Sequence, residues 1–290
     1  MTSGSATDRV FLTVITYPEG MSHNDVAELL ADGGGLDAPS LRMILKQTPP
    51  CIAGRYDRGS ALGALRALIK AGGDGFAPTM ADIEALGPTL KIKDLRLGAG
   101  GLEADLWRGP SATINPDAIQ IIVRAHLSEK ILKPRSGVTG TSILTSYTRP
   151  GASSVAIGWG MGGAYGLALG LYAGGGFSPE AREERTVVLS HKLDIHTADD
   201  RVFQIDGDKF AYLILGDQRG YSDNENTDKM CELLAHLSPN AVVDPYFSYW
   251  HPPPGHQRLR LLQMKINKDD PAFAFYSRWA ALMYRHVMRG

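Results

Sequence analysis

The stretch that most restricts the possible folds runs from Ser153 to Phe177, "SSVAIGWGMGGAYGLALGLYAGGGF". It has no charged residue, and Gly158, Gly162, Gly166, Gly170 and Gly174 recur at every fourth position. Such spacing is what two tightly packed membrane helices use, because small residues let backbones approach. The flanks argue otherwise. Strand-like segments lie on both sides, and a single span would leave them on opposite sides of a bilayer. A two-pass hairpin needs about twice the apolar length. Arg135 to Arg185 is therefore expected to be an insertion within a sheet domain, with a membrane or subunit contact as its alternative. Gly158, Gly160 and Gly163 also spell GxGxxG. A dinucleotide site needs a strand before it, a helix after it and an acid about twenty residues on. Glycine at every fourth position weakens that helix by roughly 1 kcal/mol per residue, and Glu180 alone decides nothing.

The first eighty residues read clearly. Val10 to Tyr17 is apolar on both faces, as a strand covered on both sides must be. Ser22 with Asp25 forms a capping-box pattern ahead of Val26, Leu29 and Leu30, and Gly33, Gly34 and Gly35 are expected to close that helix. Asp37 caps a second helix with Leu41, Ile44 and Leu45, which Pro49-Pro50 stops. Cys51 to Ala53 is a short strand. Asp57 precedes a third helix expected to bury Leu62, Leu65 and Ile69, and "GFAP" follows. The order is β-α-α-β-α-β.

The run "LDAPSLRMILKQTPPCIAGRYDRGSALGALRALIKAGGDGFAP" resembles the C-terminal domain of the bacterial ribosomal stalk protein, over roughly residues 9 to 80. The resemblance implies a small protein-binding domain with no cofactor and no catalytic residue. In that family, lysines on the first helix contact translation factors. The matching helix here carries Asp25, Glu28 and Asp32 and no lysine, so the fold is carried over and the partner is not.

Beyond a connector at Met80 to Pro88, the period becomes two. "LKIKDLRL" and "LEADLWRG" flank Gly98 to Gly101, a hairpin signal. Leu90 and Ile92 fall out of phase with Leu95 and Leu97, which predicts a bulge near Asp94. Ile119 to Leu127 is a third strand. "VVLSHKLDIH", the turn "TADD" and "RVFQI" form a second hairpin, and "FAYLIL" (Phe210 to Leu215) reads as a further strand. Ser222 or Asp223 caps a helix with Met230, Leu233, Leu234 and Leu237. Antiparallel strands followed by one amphipathic helix resemble a pleckstrin-homology-like half-barrel, a scaffold used for phosphoinositides, peptides or proteins, so fold alone fixes no function. The fold class expected is thus α+β. A small α/β domain spans 1–80, a half-barrel-like β domain with a covering helix spans 89–240 around the insertion at 135–185, and a basic tail spans 241–290.

No sequence motif specifies a reaction. Asp194, His196, Asp199, Asp200, Asp206 and Asp208 form the best metal-site candidate, since carboxylates suit hard cations. Their spacing matches no EF-hand, and Asp-rich tight turns need such residues anyway. There is no His-Glu-x-x-His run, no Gly-x-Ser-x-Gly elbow, and "GVTGTS" lacks a phosphate-binding lysine. No catalytic residue, cofactor or metal ligand is assigned.

A net charge of −1 gives no global attraction to nucleic acid. Cys51 and Cys231 lack metal-ligand spacing and suit reduced thiols in the cytoplasm. The run "VFLTVI", with only Arg9 before it and Pro18 soon after, is not a secretory signal pattern. Residues 251 to 290 hold seven Lys/Arg against Asp269 and Asp270. Pro252 to Pro254 favour an extended spacer, and Asp270-Pro271 starts a helix. On that helix Arg278, Arg285 and Arg289 share a narrow stripe, and Phe275, Trp279, Leu282, Met283 and Tyr284 dominate the rest. It is expected to dock on the protein itself, on a partner or second copy, or on a membrane surface. The function expected is non-catalytic protein binding or scaffolding. The alternatives are peripheral membrane association, and a metal-dependent enzyme built on Asp194 and His196.

Overall fold

The computed structural model describes residues 9–133, 145–147, 184–250 and 271–289. The glycine-rich run at 153–177 lies outside the described residues, as does the insertion at 135–185 apart from residues 145–147 and 184–185. The chain divides into two compact units, Met1–Ala125 with His191–Gly290, and His126–Ser190. The fold is α+β.

In the first unit, β1 (Arg9–Thr16) is the middle strand of a three-stranded antiparallel sheet with β2 (Cys51–Asp57) and β3 (Asp74–Phe76), in the order β2-β1-β3. Three helices connect the strands: α1 (His23–Gly34), α2 (Ala38–Leu45) and α3 (Arg58–Lys70). Each has the cap that its sequence predicts. Ser22 accepts from the Asp25 amide while the Asp25 carboxylate accepts from the Ser22 amide, Asp37 accepts from the Ser40 amide, and Asp57 from the Ser60 amide. Each such cap contributes about 1 kcal/mol by satisfying an otherwise orphaned donor. Val10, Leu12 and Val14 point into a core with Val26, Leu30, Leu41, Leu45 and Leu68.

Two expectations change here. Of the glycines expected to end α1, only Gly35 adopts a positive φ, 64°. Gly33 and Gly34 lie inside the helix and let α3 approach. A Cβ on Gly63 would stand 2.4 Å from the Gly33 carbonyl oxygen. With the helices this close, the buried face of α3 is Ala61, Ala64 and Leu68. Leu65 only flanks the core, and Ile69, expected inside, is 53% exposed. Small residues won the contact over large ones.

The expected connector after β3 contains a short helix, α4 (Met80–Glu84), held by a capping box between Thr79 and Asp82. The second sheet follows. Its strands are β4 (Thr89–Gly98), β5 (Gly101–Leu106), β6 (Ala112–Ile114), β7 (Ile119–Lys133), β8 (Thr145–Tyr147), β9 (Glu184–Thr197), β10 (Val202–Asp206) and β11 (Val242–Asp244). The path is β11-β7-β9-β10-β4-β5-β6, and β8 pairs with β7. Both expected hairpins form, β4 with β5 and β9 with β10, and the first has its register shift between Ile92 and Asp94. The sheet is mixed where antiparallel pairing was expected, because β10 runs parallel to β4 and β11 parallel to β7. Ile92, Leu95, Leu102, Leu193, Ile195, Phe203 and Ile205 pack against Met230 and Leu234 of α5 (Asp223–Leu237), which Ser222 caps.

"FAYLIL" is not a strand. Tyr212 sits at φ 55° and Gly216 at φ 50°, with a 3-10 turn at Leu213–Gln218. Its buried positions are Phe210, Tyr212 and Leu215, which breaks the period of two that a strand requires.

Of the second unit, the described parts are residues 126–133 of β7, β8 and residues 184–190 of β9. There β8 runs antiparallel to β7, with Lys130 opposite Ser146.

Candidate functional site

The C-terminal helix α6 (Pro271–Arg289) joins the elements of the first unit. One side is aromatic. The Phe275 ring meets the Phe11 ring of β1 edge to face, with centroids 5.2 Å apart, and Trp279 Nε1 donates to Thr13 Oγ1 at 3.0 Å. Phe11 and Thr13 are the second face of β1, so its apolar character on both sides has its cause: the helices α1 to α3 cover one face and α6 covers the other. Phe247 packs against Phe273 and Tyr276, and Trp250 against Tyr276 and Trp279. Tyr276 Oη donates to the Asp244 carboxylate at 2.9 Å. Burial pushes that carboxyl up, against the bonds from the Tyr246 amide and Tyr276.

The other side of α6 is polar and meets the second sheet. Ser277 Oγ lies 2.7 Å from His196 Nε2. Arg278 donates to the Gly87 carbonyl at 2.6 Å. Arg285 donates to Gln120 Oε1 at 2.7 Å and to the Thr197 carbonyl at 3.0 Å, and it pairs with Asp200. The alternation of β9 explains the seam. Leu193 and Ile195 face the α5 core, which turns Lys192, Asp194 and His196 to the opposite face, with Gln204 and Asp206 beside them on β10.

Asp194 accepts from Gln204 Nε2 at 2.8 Å and from Ser277. Its burial pushes the carboxyl above the usual range, against those two bonds and the positive charges of Lys192 and Arg278. Burial first, then Arg285 and Arg278, push the His196 imidazole down to about 3. The ring is thus neutral at neutral pH. Its Nδ1 is buried and has no hydrogen-bond partner among the described residues. Asp194, His196 and Ser277 have relative exposures of 2%, 0% and 0%, so no substrate touches them in this arrangement. The cluster read from sequence as a metal candidate is divided: Asp194 and His196 line the seam, Asp199 and Asp200 sit in the turn beside Arg201 and Arg285, and Asp206 pairs with Lys209. Among the described residues no three His, Cys, Asp or Glu come together as metal ligands.

The residues expected to meet a partner or membrane are placed as follows. Phe275, Trp279 and Met283 are buried, and Leu282 is half-buried. Arg278 and Arg285 are engaged in the seam, and Arg289 is exposed. Among the described residues no helix is long and apolar enough to cross a membrane.

A second feature escaped the sequence reading. Residues 207–222, between β10 and α5, form an irregular segment tied down at several points. Tyr212 Oη is 2.6 Å from Thr227 Oγ1, the Gly220 amide donates to Asn226 Oδ1 at 2.6 Å, and Lys229 Nζ donates to the Gln218 carbonyl at 2.8 Å. Tyr212 holds a left-handed backbone that costs a non-glycine residue about 1 kcal/mol or more, and these anchors compensate for it. Leu213 is 61% exposed and Tyr221 fully exposed on this segment. The signal available in sequence was the pair of Gly-Asp dipeptides, Gly207-Asp208 and Gly216-Asp217, which mark turns at both ends of "KFAYLIL".

Comparisons with known proteins return no match to a protein-family model, to a curated protein or to a solved structure. The likenesses to the stalk-protein domain and to pleckstrin-homology domains thus gain no support from them.

Proposed function

We propose that this chain is a non-catalytic protein-binding module and that residues 213–221 form its contact surface. The observation that carries the reading is the anchored loop: large apolar side chains, Leu213 and Tyr221, held out in solvent by a backbone fixed through Tyr212, Asn226 and Lys229. Fixing a loop before binding removes an ordering cost of about 0.5–1.5 kcal/mol per side chain. Tyrosine presents much contact area with few rotatable bonds, as binding loops use it. The buried Asp194, His196 and Ser277 support a structural role for the only part of the described residues with the look of a reactive cluster.

The test is affinity capture with the full chain and with Leu213→Ser/Tyr221→Ser, each at matched concentration. Specific partners, including a second copy of the chain, are expected to be lost from the double variant while its thermal stability changes by less than about 0.5 kcal/mol. An unchanged partner set refutes the assignment. Sedimentation with anionic vesicles tests the membrane alternative. Salt-sensitive pelleting that survives the double substitution would support that alternative instead.

A further inference from the structure

The two sides of α6 differ in kind, and the difference points to a plane of release. Toward β1 the contact is apolar and aromatic, through Phe275 and Trp279. The aromatic side also meets Phe247 and Trp250 after β11, whereas toward β9 and β10 there is a polar layer in which Ser277 bonds both His196 and Asp194. We infer that protonation of His196 releases α6 from β9 and β10 while its aromatic contacts hold it on β1 and on the residues after β11.

The geometry carries the inference. His196 is wholly enclosed, its Nε2 is committed to the Ser277 hydroxyl, and its Nδ1 has no acceptor among the described residues to receive a second proton. An imidazolium there has one unsatisfied N–H and two guanidinium groups on the helix across the seam. Opening the seam hydrates the ring and separates it from both. The charged and titratable groups on the elements about it are Lys192 and Asp194 on β9, Asp206 on β10 and Lys91 on β4. Asp199 and Asp200 lie in the turn, and Arg278 and Arg285 lie on α6. Of these, Asp194 is the one that acts against release. Its carboxyl is raised while docked, so the closed seam takes up a proton there as pH falls, which favours closure. The His196 contribution has the opposite sign: closure is favoured above the free imidazole value of 6.5 and is weakened as pH falls from there toward about 3.

The magnitude follows from those two values. At pH 4.5 an open His196 is about 99% protonated and a closed one almost wholly neutral, so His196 by itself multiplies the opening constant about 100-fold relative to pH 7.5, and Asp194 offsets part of that rise. Hydrogen exchange of the full chain measures this, once corrected for the intrinsic pH dependence of amide exchange. Segments 192–197 and 271–289 report the seam, and segment 9–16 reports β1. The acid response of the wild type divided by that of His196→Gln is expected to be about 100-fold at the seam and near 1 in β1. Asp194→Asn removes the opposing group and is expected to open further at pH 4.5 than the wild type. The inference is overturned if wild type and His196→Gln respond to acid alike. It is also overturned if β1 loses protection together with the seam, which would be global unfolding. Should His196→Gln not fold, an Asp194→Asn chain whose seam opens less than 3-fold between pH 7.5 and 4.5 overturns it equally.

Discussion

Replacing Gly63 with alanine should destabilise the protein, although alanine is the better helix former. The substitution sits in the middle of α3, where exchanging glycine for alanine in an exposed helix gains about 1 kcal/mol. Here the new methyl would stand 2.4 Å from the Gly33 carbonyl oxygen and 3.4 Å from its carbon. No rotamer relieves a clash between a Cβ and a backbone, so α1 and α3 must separate by roughly 1 Å. That gap forfeits a quarter to a half of the dispersion at each neighbouring contact, including those of Ala64 and Ala67 with Gly34 and Gly33. Overpacking of this kind costs about 1–3 kcal/mol. Subtracting the propensity gain leaves a net loss of up to about 2 kcal/mol. Gly59→Ala is the control. It lies in the first turn of the same helix, where the added Cβ meets only Asp57 Oδ1 at 3.3 Å, and it should be neutral or slightly stabilising. With a urea slope of about 2 kcal/mol per molar, the Gly63→Ala midpoint falls by up to about 1 M relative to the wild type. If Gly63→Ala raises the midpoint as a surface glycine would, the helices are not in the contact described.

Trp279→Ala should cost about 3–5 kcal/mol in thermal or urea unfolding, because the indole is wholly buried between β1 and the aromatic residues after β11. A Trp279 that served only an outside partner would leave stability unchanged. Trp279→Phe keeps an aromatic ring but loses the pyrrole ring's volume and strips Thr13 Oγ1 of its donor; it should cost less than the alanine change but more than the hydrogen bond alone, about 1 kcal/mol. Both cysteines should resist thiol reagents in the native state. Cys51 is buried and pushed up to about 12, so at pH 8 only about one thiol in ten thousand is ionised, and burial also raises Cys231. Rapid native-state modification of Cys51, at the rate seen in denaturant, would refute the placement of β2.

The sequence was most readable where one residue type answers one local need. Ser22, Asp37, Asp57 and Ser222 each begin the helix that their side chains suit, and the phase break between Ile92 and Leu95 became a real register shift. It was least readable where a distant element sets the outcome. Nothing local in "RGSALGALRALIK" says that Ala64 rather than Ile69 faces inward; that follows from Gly33, thirty positions earlier, offering no side chain. "FAYLIL" has strand composition, but Tyr212 is fixed by Thr227 in the following helix. The polar residues of β9 invited a metal, and their actual partner, Ser277, is some eighty residues away. The aromatic helix at the C-terminus declared that it needed cover without declaring what would supply it. The exposed loop with Leu213 and Tyr221 was hidden by the same strand-like composition.

The bond between Trp279 and Thr13 joins residues 266 positions apart. β1 is made early and its second cover late. At translation rates of about 5–20 residues per second, that interval is roughly 13–53 s. During it Phe11 has its neighbours on one side only, and the polar edge of β9 waits without Ser277. The nascent protein thus carries an apolar strand face open to chaperones, and to sticky encounters with other chains, throughout that interval. Contacts so distant in sequence also slow folding. A stop codon or cleavage just before Pro271 would leave that exposed state permanent, with a strand face that the cell's quality-control machinery can recognise.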